Sequence, residues 1–149
     1  MARTVPGGFG GYFLRTSDGR ETIYLKQPGM KTDALAALNA RPVTGTTLGP
    51  DVVVVRGRWD YVQLHEWYRY LVPRLWGTGL VSTDLDEGAN RILIGVADEP
   101  SRRRLEARLA ALDVPCFLVA IEVGPPPRTV DLRDATTTAA APAARVRSS

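Results

Sequence analysis

The chain has 149 residues, 44% of them hydrophobic and 23% charged, enough for one domain with a sizeable core and ordinary for a globular protein. Of the formal net charge of +3, the segment after Val123 carries +2 (Arg128, Arg133, Arg145 and Arg147 against Asp131 and Asp134) and the remainder +1, which argues against the concentrated basic face of a nucleic-acid binder. One cysteine, Cys116, and one histidine, His65, exclude an internal disulfide, a cysteine-rich zinc site and a histidine-clustered metal site.

The start, "MARTVPGGFGGYF", has no apolar stretch of signal-peptide length, and no run is long enough to span a bilayer. A cytoplasmic location is expected of the chain as written, and a secreted one if a longer precursor exists. Residues 1–8 read as a flexible lead-in. Gly7, Gly8, Gly10 and Gly11 have no strand before them and no Lys-Ser/Thr after them, so they are not a phosphate loop.

"FGGYFLRTSDGRETIYLKQ" predicts a β-hairpin. Two β-prone runs flank Ser17-Asp18-Gly19, where glycine accepts positive φ without a steric penalty. "KTDALAALNA" predicts a short helix with Leu35 and Leu38 inward and Thr32 or Asp33 as cap. A turn-rich loop follows, and then "DVVVVRG", whose four valines predict a strand buried on both faces.

"WDYVQLHEWYRYLVPRLW" predicts the main helix. Asp60 caps it, Tyr61, Leu64, Tyr68, Leu71 and Leu75 form its apolar stripe, and Pro73 ends or kinks it. "GLVSTDLD" and "NRILIGV" predict two strands joined at Glu87-Gly88-Ala89, with Asn90 in a turn or left-handed position. "DEPSRRRLEARLAALD" predicts a third helix started by Asp98, Glu99 and Pro100, with Leu105, Leu109 and Leu112 inward. "PCFLVAIEVG" predicts a last buried strand.

From Asp51 to Val123 the order is β-α-β-β-α-β. This is the α+β, ferredoxin-like split βαβ pattern: an antiparallel sheet with both helices on one face. In that scheme residues 9–123 form one domain, residues 9–40 extend a core of 51–123, and the Pro-, Ala- and Thr-rich stretch 124–149 is a disordered tail.

The chemistry-bearing residues favour contact over catalysis. Asp84, Asp86 and Glu87 fit a solvated turn, with Arg91 offsetting the charge, and lack the pattern of a calcium loop. His65 has no paired nucleophile, and Cys116, opening an apolar strand, reads as buried and inert. Arg102, Arg103 and Arg104 fan around a helix as a solvated face. The central strands carry Val, Ile and Leu where an RNA-reading sheet carries aromatics. Trp59 and Trp67 with Arg69 are the candidate partner-binding residues, since an exposed tryptophan beside an arginine favours a protein partner. Trp76 is the remaining tryptophan. No catalytic residue, cofactor or metal site is expected.

The stretch from "YVQLHEWYRYLVPRLW" through "DLDEGANRILIGV" to "ALDVP", with the "GGYFL…TIYL" hairpin and "TVDLRD", resembles the region preceding the catalytic domain in a group of bacterial trypsin-like serine proteases. It is also loosely similar to propeptide modules of α-lytic-type proteases. The resemblance covers most of residues 8–134 and its motifs are mainly structural. Where that family continues into a protease domain, this sequence runs into "ATTTAAAPAARVRSS", with no His/Asp/Ser set to carry over. The resemblance implies a non-enzymatic pro-region-like module: a foldase, inhibitor or docking domain for a trypsin-like serine protease. The rival expectation is a small ferredoxin-like enzyme or ligand-binding protein, homodimeric through its sheet, with a pocket near His65 or residues 84–87. Neither nucleic acid nor a membrane is an expected partner.

Overall fold

The computed structural model describes residues 2–40 and 47–125; the expected tail, apart from its first two residues, and most of the turn-rich loop lie outside them. Two strands, β1 (Phe9–Leu14) and β2 (Glu21–Leu25), form the expected hairpin. Its turn closes through Gly19 at φ 65°, whose amide donates to the Arg15 carbonyl at 2.8 Å. Helix α1 (Lys31–Asn39) follows a 3₁₀ turn at Pro28–Met30. Thr32 and Asp33 therefore lie inside its first turn, and the cap position is Met30, without a side-chain hydrogen bond. The chain returns as β3 (Val53–Arg56), parallel to β2.

Helix α2 (Tyr61–Leu71) starts as the sequence predicts. The Asp60 side chain accepts the Gln63 amide, and the Gln63 side chain accepts the Asp60 amide, which completes a capping box. Pro73 ends the α-helix at Leu71, and the chain tightens into a 3₁₀ turn at Val72–Arg74. Strands β4 (Leu80–Asp86) and β5 (Arg91–Val96) pair antiparallel. Helix α3 (Glu99–Ala111) and β6 (Val119–Val123) follow, with β6 parallel to β5.

The class is α+β, and the β-α-β-β-α-β order is present from β3 to β6. The pairing differs from a single antiparallel sheet. There are two three-stranded mixed sheets, β1-β2-β3 and β4-β5-β6. The cause lies in α1: it packs over the first core and returns the chain beside β2, so β3 completes the first sheet before α2 crosses to the second. The hairpin and α1 are thus one half of the molecule rather than an extension. In place of a strand buried on both faces, β3 is a half-buried edge strand.

The second half repeats the first. Each is a β-β-α-β unit, and the details coincide. Both hairpins carry an irregularity after their first paired residue, Phe9 opposite Leu25 and Leu80 opposite Val96. The Lys26 amide reaches the Gly8 carbonyl at 3.1 Å, as the Ala97 amide reaches Gly79 at 3.2 Å. Gly8 and Gly79 both have positive φ. Gly57 closes the end of the first sheet on the Leu25 carbonyl, and Gly124 the second on Val96, each at 3.0 Å. One hydrogen-bonding scheme is executed twice by two unlike sequences.

Each unit has its own core. Ile23, Leu25, Ala34, Leu38 and Val52 pack in the first. They include Val5, so the N-terminal segment expected as a flexible lead-in is anchored, after a 3₁₀ turn at Ala2–Thr4. Leu64, Leu71, Leu75, Ile92, Ile94, Val96, Leu105 and Leu118 pack in the second. There α2 and α3 share one face of β4-β5-β6, as the stripes of both helices predict.

Candidate functional site

The acidic turn at residues 86–90 is the seam between the two units. Asp86 accepts the Ala89 amide at 2.9 Å and pairs with Arg91 at 3.3 Å. The Glu87 carboxylate lies over β1 and accepts the Tyr12 amide at 3.4 Å. The Tyr24 hydroxyl donates to the Gly88 carbonyl at 3.1 Å. Burial raises its pKa, as does the nearby Asp86 charge, against a smaller opposing effect of Arg91. Asp84 is exposed on β4. Among the described residues, no group of three His, Cys, Asp or Glu side chains is placed to hold a metal ion.

Asn90 is the centre of this seam. It takes the left-handed conformation expected of it, φ 53°, and is only 5% exposed. Its Oδ1 accepts the amides of Arg58 at 2.9 Å and Trp59 at 3.0 Å. Its Nδ2 donates to the carbonyls of Trp59 at 2.9 Å and Gly10 at 3.3 Å. Both ends of the side-chain amide are satisfied, and only this orientation satisfies them. Gly10 makes room for it: a Cβ there would lie 2.6 Å from both Asn90 Nδ2 and the Trp59 carbonyl. Gly10 and Gly11 are therefore strand residues of β1, and Gly7 and Gly8 form the turn that enters it rather than a lead-in. The sequence signals both turn propensity at Asn90 and a glycine cluster at 7–11, but not their contact across the chain.

The candidate partner-binding residues separate. Trp59 is half-buried against the second core, and its indole N–H is buried without a hydrogen-bond partner among the described residues. Trp67 also packs on that core, but it meets Tyr70 edge-to-face at 5.7 Å. With Gln63, Glu66, Tyr70 and Leu112 it lines a cavity of about 380 Å³. Arg69 is exposed on the same helix. Tyr70 is 40% exposed and carries the Arg74 guanidinium over its ring at 4.0 Å, and Trp76 just beyond is 73% exposed.

His65 is exposed on α2 and stacks on Tyr61, with ring centroids 6.2 Å apart. It lies outside the cavity beside Trp67. Cys116 corrects the expectation of a buried thiol. Residues 115–118 form a turn, with the Leu118 amide on the Pro115 carbonyl, before β6 begins at Val119, and Cys116 is exposed. Phe117, at φ 65°, is exposed with it. Arg102 pairs with Glu99 and Glu106 on the exposed side of α3, as expected of a solvated face.

Fold and site together define an α+β protein of two stapled β-β-α-β units with an aromatic face on its connecting helix. No protein-family model matches the chain, and no curated protein matches it. No helix among the described residues is long and apolar enough to cross a membrane.

Proposed function

We propose that this chain is a non-enzymatic protein-interaction module of the pro-region type, serving as foldase, inhibitor or docking domain for a trypsin-like serine protease. The observation that carries the interaction reading is the aromatic face of α2, where Tyr70 remains in solvent edge-to-face with Trp67, followed by the exposed Trp76 in the turn after the helix. Large aromatics contribute most to binding when a partner covers them, and arginines beside them supply direction. Trp67 makes the contact together with Tyr70; Arg69, two residues along α2, flanks it from another side of the helix, and Trp59 packs on the second core. The choice of a protease as partner rests on the resemblance of residues 8–134.

The test is calorimetric titration of the chain with catalytic domains of trypsin-like proteases from the same organism. A complex is expected, and Trp67→Ala should weaken it by about tenfold or more. Absence of a complex with every such domain at about 100 μM protein would defeat the reading. A second reading, a small enzyme or ligand-binding protein, draws on a separate cavity beside Asn90. Tight binding of a small dicarboxylate there would favour it.

A further inference from the structure

The open face of the first sheet, opposite α1, forms a groove with two unlike ends. At one end Phe13, Leu14, Thr22, Tyr24 and Val55 line a cavity of about 470 Å³, with Leu14 60% exposed. At the other, a cavity of about 370 Å³ is walled by Arg56, Arg58, Arg91 and Phe117. The two are neighbours, with Tyr24 and Val55 lining both. Three guanidiniums line the second cavity, and of these Arg91 pairs with Asp86. Among the described residues, Arg56 and Arg58 have no ion pair; Arg58 lies over the Phe117 ring at 4.4 Å. The groove runs along β3, which among the described residues is hydrogen-bonded to β2 on one side only. The residues concerned come from β1, β2, β3, the loop after it, the start of β5 and the turn before β6, and none belongs to the α2 face.

We infer that this groove receives an extended acidic segment of a partner protein. A carboxylate of that segment sits among Arg56, Arg58 and Arg91, and a neighbouring apolar side chain enters over Phe13 and Val55. Guanidiniums bind carboxylates through paired, charge-assisted hydrogen bonds. An unpaired strand edge supplies backbone donors and acceptors at the spacing of an extended chain. Single-stranded nucleic acid fits less well, because base stacking needs free ring faces. Here Phe13 stacks on Tyr24 at 5.4 Å and Arg58 covers one face of Phe117.

The test uses the full chain and fluorescence anisotropy of a labelled heptapeptide, Gly-Leu-Asp-Glu-Val-Asp-Gly. The controls are its Asn/Gln counterpart, succinate and a decamer of deoxythymidine. The acidic peptide should bind, and the amidated one should bind at least about tenfold more weakly. The Arg56→Glu/Arg58→Glu double variant should lose the acidic peptide by a similar factor. Its far-ultraviolet circular dichroism and thermal midpoint should stay close to those of the parent, since neither side chain is in an ion pair or core. Trp67→Ala should leave peptide binding unchanged, which separates this groove from the α2 face. Four outcomes would overturn the inference: no binding, equal binding of the amidated peptide, indifference to the double charge reversal, or tighter binding of succinate or the oligonucleotide than of the acidic peptide.

Discussion

One side-chain amide joins distant parts of this molecule. Asn90 satisfies two backbone donors and two backbone acceptors at 2.9–3.3 Å. Truncation to Ala leaves buried groups of Gly10, Arg58 and Trp59 without partners, at about 1–3 kcal/mol each where water cannot replace the bond. Ala also tolerates φ 53° poorly. Asn90→Ala should therefore lower unfolding stability by about 2–4 kcal/mol. Asn90→Gly, which removes the same bonds but accepts the backbone, should recover about 1 kcal/mol of that loss. Asn90→Asp turns the donor into a second acceptor facing two carbonyls and should also destabilise. Urea unfolding of the three variants checks this, and an Asn90→Ala midpoint equal to the parent's would remove the staple from the account.

At the scale of elements, helix α3 offers a pH test. The Asp98 side chain caps it by accepting the Ser101 amide at 2.7 Å. Hydrogen bonds from Ser101, first its side chain and then its backbone, hold the Asp98 carboxyl below its usual value of 3.8, assisted by Arg104 and Arg103. A depressed carboxyl pKa means that the folded state binds the proton less readily than the unfolded state. The cap's contribution is then complete above pH 3.8 and disappears as pH falls through the lowered folded value. Asp98→Asn keeps a capping oxygen and removes the charge. The parent should be the more stable of the two at pH 5, and the gap should close towards pH 2. A gap that stays constant across that range would mean the charge plays no part. The helices were legible because their signals are local: Asp60 and Asp98 as caps, Pro73 as stop, Leu64, Leu71 and Leu105 as core. Strand pairing was not. Four valines predict a strand buried on both faces, whereas β3 is a half-buried edge strand, and whether β3 pairs with β2 or with β5 is decided by α1 packing, a contact between remote segments. The α2 face was partly legible in Trp67. The arginine groove was not, because Arg56 and Arg91 meet only after both units have folded.

At the scale of the whole molecule, two small cores must support each other. Each unit alone is of the size at which a single core is marginal, since the fraction of surface buried falls for short chains. The joint is made by Asn90, by Tyr24 on Gly88, and by Lys26, whose ammonium lies 3.0 Å from Gln63 Oε1 and 3.8 Å from Asp60 at the start of α2. Such a joint predicts one cooperative transition instead of two. All three tryptophans, at 59, 67 and 76, follow the first unit, so their fluorescence reports on the connecting helix and the second core. Ile23 is fully buried in the first core, and Ile23→Ala should cost about 2–5 kcal/mol there. If the units are coupled, that distant substitution shifts the tryptophan transition as far as it shifts the far-ultraviolet circular dichroism. Adding Asn90→Ala should pull the two curves apart, with the second unit outlasting the first, because its core is the larger and carries two helices. A tryptophan transition that ignores Ile23→Ala in the otherwise unaltered chain would show that the halves unfold independently, and that the seam merely touches where it is argued to bind.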